Sequence, residues 1–262
     1  VTGLLPLLGL LLGLPLLIAP PEHASELDRE LYARLLTRYT RAVDDVAGTR
    51  VDYRGLGREP AWQTLVAGLE RSVPQELPTP DAKLAFWIDA YNILAIDLVV
   101  RNYPVESIRD IGSFLRPVWR REVAHIAAEP VTLHQIEHEI LRPMGDPRIH
   151  AAIVCASTSC PSLAREPYRP ETVDAQLDAA MRRFLADERK GLAIDRQRMR
   201  VRLSKIFDWF EEDFEPAGGV LAFAAPYLEE SRRRWLEEHA GEVEIEYFDY
   251  DWRLNDTHAS AR

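Results

Sequence analysis

Apolar residues recur at helical spacing along most of the chain. Leu27, Leu31, Leu35 and Tyr39 mark one stripe of a helix predicted over 26–47, with charges on the remaining face. Residues 51–53 read as a short strand ending before Gly55, and 61–69 as a second helix. After the turn-rich link SVPQELPTP, a helix opens at Asp81 and ends at Asn102-Tyr103-Pro104. Leu84, Trp87, Ile88, Tyr91, Ala95 and Leu98 fill one of its faces, and Phe86, Ile93 and Val100 fall on the other. A helix apolar nearly all round is a central, buried one. Asp89 and Asn92 must therefore find partners inside it, because buried polar groups are costly when unpaired. Bonding to neighbouring backbone is the plainer role for both, and orienting a catalytic group is the functional one.

Residues 118–126 suit a strand, and Glu129-Pro130 a turn. Thr132 and Gln135 match a capping box, so a helix starts there and stops at Arg142-Pro143. On its wheel Leu133, Ile136, Ile140 and Leu141 define the apolar arc. Glu137 falls inside that arc, whereas His134, His138 and Glu139 lie outside it. A carboxylate aimed at the core must be paired, either with an arginine or in a functional site. The run RIHAAIVCASTSCPSL, 148–163, holds both cysteines of the chain, Cys155 and Cys160, together with His150. Its apolar part, 149–154, predicts a strand buried on both faces, and the polar loop that follows ends at a proline. Such a strand either delivers a thiol to a loop mouth or ends in a small buried hydrophobe.

Further along, 170–187 forms an amphipathic helix and 192–203 a β-hairpin. Ser204 caps a helix whose stripe is Ile206, Phe207, Phe210 and Phe214, and 221–239 is helical again. Residues 242–248 alternate, with Val243, Ile245 and Tyr247 facing in, as in a half-exposed antiparallel strand. The sum is a helix-rich α+β fold with a small, mainly antiparallel sheet; the β-α alternation of a doubly wound fold is absent.

Composition narrows the function. The net charge of −10 lacks the basic footprint of a nucleic-acid binder. The locally basic stretch at 188–202 is interspersed with acids and reads as a solvated hairpin. Residues 3–19 carry no charge, are short for a membrane span and are interrupted by prolines and glycines. They resemble a secretory h-region. The expectation is an exported protein, periplasmic or anchored facing the periplasm, with the membrane touched only through that segment if it is uncleaved. The predicted layout is a leader at 1–22, a helical extension at 23–80, a core at 81–255 and a tail at 256–262. In an oxidising compartment Cys155 and Cys160 can pair.

Several stretches together resemble the domain-of-unknown-function 547 family. They are FWIDAYN (86–92), TLHQIEHEILR (132–142), DPRIHAAIVCASTSCPSL (146–163), SKIFDWFEEDF (204–214) and YDWRLN (250–255). The likeness runs in order from about residue 81 to residue 255. Family members more often carry Asn at the position of Asp89, and a Gly-Gly turn near 125–128 that this chain lacks. The resemblance implies a fold similar to a circularly permuted papain-like cysteine peptidase, with a Glu–His–Cys constellation carried onto Glu137, His150 and Cys155. It leaves Cys160 in a supporting role. Asp89, Asn92, Asp251 and Asn255 are then orienting or structural residues.

The chemistry fits in kind, since a thiol nucleophile needs a base and a third group to hold that base. Backbone N–H groups at 157–159 would serve an oxyanion. Geometry raises an obstacle. In a straight strand His150 and Cys155 point to opposite faces and sit about 16 Å apart. His138 and Cys160 are the substitutes. The expected function is a thiol-dependent hydrolase acting on an amide or peptide bond, with a peptide or a small thiol or amide ligand as partner. The alternative is a binding or scaffold module of the same shape without turnover. A metal site from His150, Cys155, Cys160 and His138 is disfavoured, because Cys-x4-Cys is wide for zinc and a second ligand pair is missing. No cofactor and no resident metal are expected.

Overall fold

The computed structural model describes residues 27–113 and 116–258. The leader expected at 1–22 and the end of the tail lie outside them. Helix α1 (Arg29–Tyr39) is capped by Asp28, whose carboxylate accepts from Leu31 N–H. It stops well short of residue 47. Thr40–Ala42 (β1) instead pairs antiparallel with Thr49–Val51 (β2), and the turn between them closes at Gly48 with φ +67°. The short α2 (Tyr53–Leu56) and α3 (Pro60–Glu70) follow.

Helix α4 (Pro80–Asn102) starts from a Thr79 cap with Pro80 in its first turn. It ends before Tyr103-Pro104, where the residue preceding a proline is pushed out of helical geometry. Residues 85–99 are buried without a break, so α4 is the axis of the molecule. Leu35, Trp62 and Leu65 from the N-terminal helices share one apolar cluster with Ile88 and Ile93 of α4. Each such side chain contributes about 1.5–3 kcal/mol by leaving water.

Strands β3 (Glu122–Ile126) and β4 (Glu129–Thr132) form a hairpin. Its turn residues Ala127 and Ala128 take φ of 53° and 65°. Helix α5 (Leu133–Gln135) begins at the capping box, where Thr132 Oγ accepts from Gln135 N–H and Gln135 returns the bond. It continues over Ile136–Leu141 as a widened π-helical turn, with Arg142 N–H reaching Glu137 O. Such widened turns are frequent at functional sites.

No strand forms at 149–154. Pro147–Ala151 is a 3-10 turn capped by Asp146, and the following residues are irregular. The cause sits on α4. Asn92 Nδ2 donates to Ala152 O at 3.0 Å and its Oδ1 accepts Val154 N–H at 2.9 Å. One side chain thus does for this segment what a neighbouring strand would do.

Helix α6 (Val173–Ala186) lies across two clusters, giving Val173 and Leu177 to the first and Met181, Phe184 and Leu185 to the second. The second cluster is closed by β5 (Leu192–Asp195), β6 (Arg200–Leu203), α7 (Lys205–Trp209), α8 (Val220–Ala224), α9 (Glu230–His239) and β7 (Glu244–Tyr247). β5 and β6 make the expected hairpin. β7 pairs with β6 in parallel, not antiparallel, because the chain returns through a helical crossover. Ile245, expected inside, is 42% exposed. The architecture is helix-rich α+β with small, mainly antiparallel sheets. Among the described residues no helix is long and apolar enough to cross a membrane.

Candidate active site

A cavity of about 340 Å³ opens between the two clusters. Its chemistry comes from Glu137, His138, His150, Cys155, Cys160 and Tyr250, and its walls from Trp119, Trp209, Phe210 and Trp252. All five sequence-predicted candidates, substitutes included, therefore reach one space. Their pairing differs from expectation.

Both thiols are free. They meet through a turn in which Ala156 takes φ 61°, a left-handed conformation rare for a residue with a Cβ. Cys155 N–H donates to Cys160 Sγ at 3.0 Å, and the Tyr250 hydroxyl donates to the same sulfur at 3.2 Å. Cys155 Sγ lies 3.2 Å from Ser157 Oγ and 3.4 Å from Tyr250 OH. Ser157 Oγ in turn donates to Tyr250 OH at 3.2 Å. Two hydroxyls thus connect the sulfurs. The Cys160 sulfur and burial push the Cys155 thiol up. Burial also works against a Cys160 thiolate, but the bonds from Cys155, Ser157 and Tyr250 outweigh it and bring Cys160 below the usual thiol range. Of the two coupled sulfurs, Cys160 is the one whose thiolate the surroundings favour.

No histidine is hydrogen-bonded to either sulfur among the described residues. His150 Nε2 meets Asp213 Oδ2 at 2.7 Å, so the carboxylate holding His150 is Asp213 and not Glu137. Asp213 also takes two bonds from Arg142, each 2.7 Å. Arg142 contacts Glu212 as well, and donates to His138 Nδ1 at 2.9 Å. Burial disfavours the Asp213 charge, yet His150 and Arg142 hold its carboxyl well below the usual range. Burial lowers the His150 pKa against the pull of Asp213, and it lowers His138 to about 4, helped by His134. With Asp213 accepting from Nε2, a neutral His150 ring keeps its lone pair on Nδ1. The ring is stacked on Phe210 at 4.2 Å, which fixes its plane.

Glu137 takes a single hydrogen bond, from Tyr91 OH at 3.3 Å. Burial raises it to about 7, only partly offset by Tyr91. A carboxyl poised there both gives and takes a proton at physiological pH.

Two of the three expected oxyanion donors are spent elsewhere. Thr158 N–H bonds Arg253 O at 2.8 Å and Ser159 N–H bonds Asp251 O at 3.2 Å. The C-terminal segment thereby straps the cysteine loop, and Ser159 Oγ accepts Asp251 N–H. The Asp251 carboxylate faces Arg253. Asn255 joins Tyr53 OH to Thr49 O, tying the strap to the N-terminal hairpin. Asp89 accepts Tyr168 N–H at 3.0 Å and lies 3.6 Å from Arg29, with burial raising it to about 8. Asp89, Asn92 and Asn255 thus hold backbone, not cavity groups. Lys190 adds a further brace, donating to Cys160 O at 2.6 Å and Ala47 O at 3.1 Å.

Sequence reading missed Asp213, Arg142, Tyr250, Ser157 and Tyr91. Asp213 and Tyr250 lie in SKIFDWFEEDF and YDWRLN, beside aromatic residues whose spacing reads as core. Among the described residues no group of three or more His, Cys, Asp or Glu is placed to hold a metal.

Neither the curated proteins nor the solved structures yield a match to this chain. Residues 74–185 match the model of a family described as "Protein of unknown function, DUF547". The matched stretch runs from the turn before α4 to the end of α6 and contains Glu137, His150 and both cysteines, and this part of the chain is a DUF547 domain.

Proposed function

We propose that the chain is a thiol-dependent hydrolase of amide or peptide bonds, with Cys155 as nucleophile. The observation that carries this reading is the hydroxyl relay between the sulfurs, Cys155–Ser157–Tyr250–Cys160, in a cavity also lined by the buried Glu137 carboxyl. Cys155 is the less buried of the two sulfurs' residues. As its sulfur bonds to the carbonyl carbon, its proton passes through the Ser157 and Tyr250 hydroxyls to the Cys160 thiolate. Glu137, in its neutral form, protonates the leaving nitrogen as the C–N bond breaks. The resulting Glu137 carboxylate then takes a proton from the water that cleaves the thioester, and Cys160 returns its proton to Cys155. His150, locked by Asp213, offers Nδ1 as a fixed acceptor in the wall. Export remains part of the proposal, on the support of the uncharged run at 3–19.

The test is hydrolysis of a panel of N-acyl aminocoumarin amides by the purified chain, with Cys155→Ser alongside. Turnover that Cys155→Ser abolishes supports the reading. Absence of turnover across the panel, with both thiols alkylating no faster than free cysteine, overturns it in favour of a binding or scaffold module.

A further inference from the structure

We propose that the thiol cavity is one half of a longer cleft, and that its substrate is a short peptide-like chain whose far end carries a carboxylate held by Arg109. The inference rests on the thiol-hydrolase reading and names the substrate class for it. Trp119 and Trp252, in edge contact at 5.5 Å, line the thiol cavity on one side. On the other side the same two rings line a second cleft of about 800 Å³, whose polar rim is Ser107, Arg109, Asp110 and Ser113, with the Asp110 carboxylate turned to Ser107 N–H at 2.9 Å. The two spaces thus share a ridge of indoles. Trp252 continues the apolar surface into Tyr250 at 4.5 Å and into the half-exposed Trp209 at 5.6 Å. A surface of packed aromatic rings takes flat or apolar groups of a chain laid across it.

Arg109 supplies the charge. Its guanidinium carbon stands 5.1 Å from the centre of the Trp252 ring. Among the described residues it has no carboxylate or carbonyl partner, whereas Arg142, Arg148 and Arg253 are each tied to acids. Its segment, 101–121, holds Arg101, Arg109, Arg116, Arg120 and Arg121 against only Glu106 and Asp110, in a chain whose net charge is −10. A free guanidinium resting on a ring is suited to a carboxylate. Inside the cavity Asp213 is neutralised by Arg142 and His150, and the remaining anionic groups, Cys160 and Glu137, stand at the thiol end, which places a substrate carboxylate at the Arg109 end.

The path from Arg109 over Trp252 and Tyr250 to Cys155 also limits substrate length. Its contacts of 5.1, 4.5 and 3.4 Å hold the guanidinium within about five extended residues of the sulfur. A chain of roughly two to four residues spans that interval.

The probes are bromoacetyl-alanine oligomers of increasing length, each made with a C-terminal carboxylate and with a C-terminal amide. A third series ends in glutamate amide. Alkylation of Cys155 in the purified chain is followed by mass spectrometry, with bromoacetamide as the reference. Expected is a carboxylate form at one intermediate length reacting about tenfold faster than its amide. Loss of that ratio in Arg109→Gln and partial retention in Arg109→Lys identify Arg109 as the source. Preference for the alanine acid marks a chain terminus as the recognised group, and preference for glutamate amide marks a side chain. Equal rates for acids and amides at every length, with bromoacetamide still reacting faster than with free cysteine, overturn the inference and leave the thiol reading standing. Slow reaction of both thiols with bromoacetamide removes that reading, and this inference with it.

Discussion

Asp213 Oδ2 stands 2.7 Å from His150 Nε2 across 63 residues of sequence, and the same carboxylate is gripped twice by Arg142. This hydrogen-bonded cluster joins the second apolar cluster to the cysteine-bearing half of the chain. It also decides the tautomer of His150, which is buried in the cavity wall.

Asp213→Asn leaves the Arg142 charge and the His150 N–H short of their acceptor. The expected loss is about 1–3 kcal/mol of unfolding free energy at pH 7, read from urea denaturation. The pH dependence carries a sign. Because the folded-state carboxyl is depressed, its stabilisation is present above the ordinary carboxylate pKa and is lost as pH falls below it. Wild type therefore weakens in acid more steeply than Asp213→Asn, and parallel acid-denaturation slopes would remove the assignment.

Tyr250→Phe deletes the hydroxyl donated to Cys160 Sγ and breaks the relay to Cys155. A hydrogen bond to a charged acceptor is worth about 1.5–3 kcal/mol. The midpoint of thiol alkylation against pH should rise by about 1–2 units. An unchanged midpoint would show that the hydroxyl does not hold the thiolate.

Glu137 leaves two signatures. In the rate profile, activity of an enzyme using its neutral form falls as pH rises past about 7, while the acid limb follows Cys160. Glu137→Gln should remove the alkaline limb and lower the rate by about 10²–10⁴. In stability, a folded pKa raised from 4.5 to about 7 means that stability present below 4.5 is lost as pH rises to about 7. The cost is about 3 kcal/mol. Glu137→Gln is therefore expected to be more resistant to urea than wild type at pH 8 and close to it at pH 4.5.

Asn92→Ala exposes the cost of the backbone clamp. Ala152 O and Val154 N–H lose their partner in a buried place, so about 2–4 kcal/mol of stability should disappear. Asn92→Asp keeps the acceptor for Val154 but not the donor for Ala152, and its unfolding midpoint in urea should fall between the two.

Ala127 and Ala128 occupy left-handed backbone in the β3–β4 turn. That conformation costs a residue with a Cβ roughly 1–2 kcal/mol. Ala128→Gly should raise stability by about 1 kcal/mol, less than the full strain because glycine also loosens the unfolded chain. This chain thus makes the left-handed turn without glycines.

Much of the architecture follows from the order of residues alone. The unbroken apolar character of 85–99 makes α4 the axis, because such a surface is stable only when covered on all sides. Thr132 with Gln135, Ser204, and the proline stops set helix ends through bonds that reach no further than a turn. Glu137 stands out on its helix wheel for the same local reason. Side-chain period also marked 242–248 as strand, but period 2 says nothing of the partner's direction, and β7 runs parallel to β6. The segment at 149–154 has the composition of a strand, yet its ladder bonds are taken by Asn92, a residue some sixty positions earlier. The partners of His150 and of the thiols come from residues 213 and 250, brought in by folding of the second cluster. Local propensity and burial are written in neighbouring residues, so sequence alone determined the elements and the cavity's ingredients. Which carboxylate holds which imidazole, and which hydroxyl joins the two sulfurs, are long-range hydrogen bonds, and only the tertiary structure decided them.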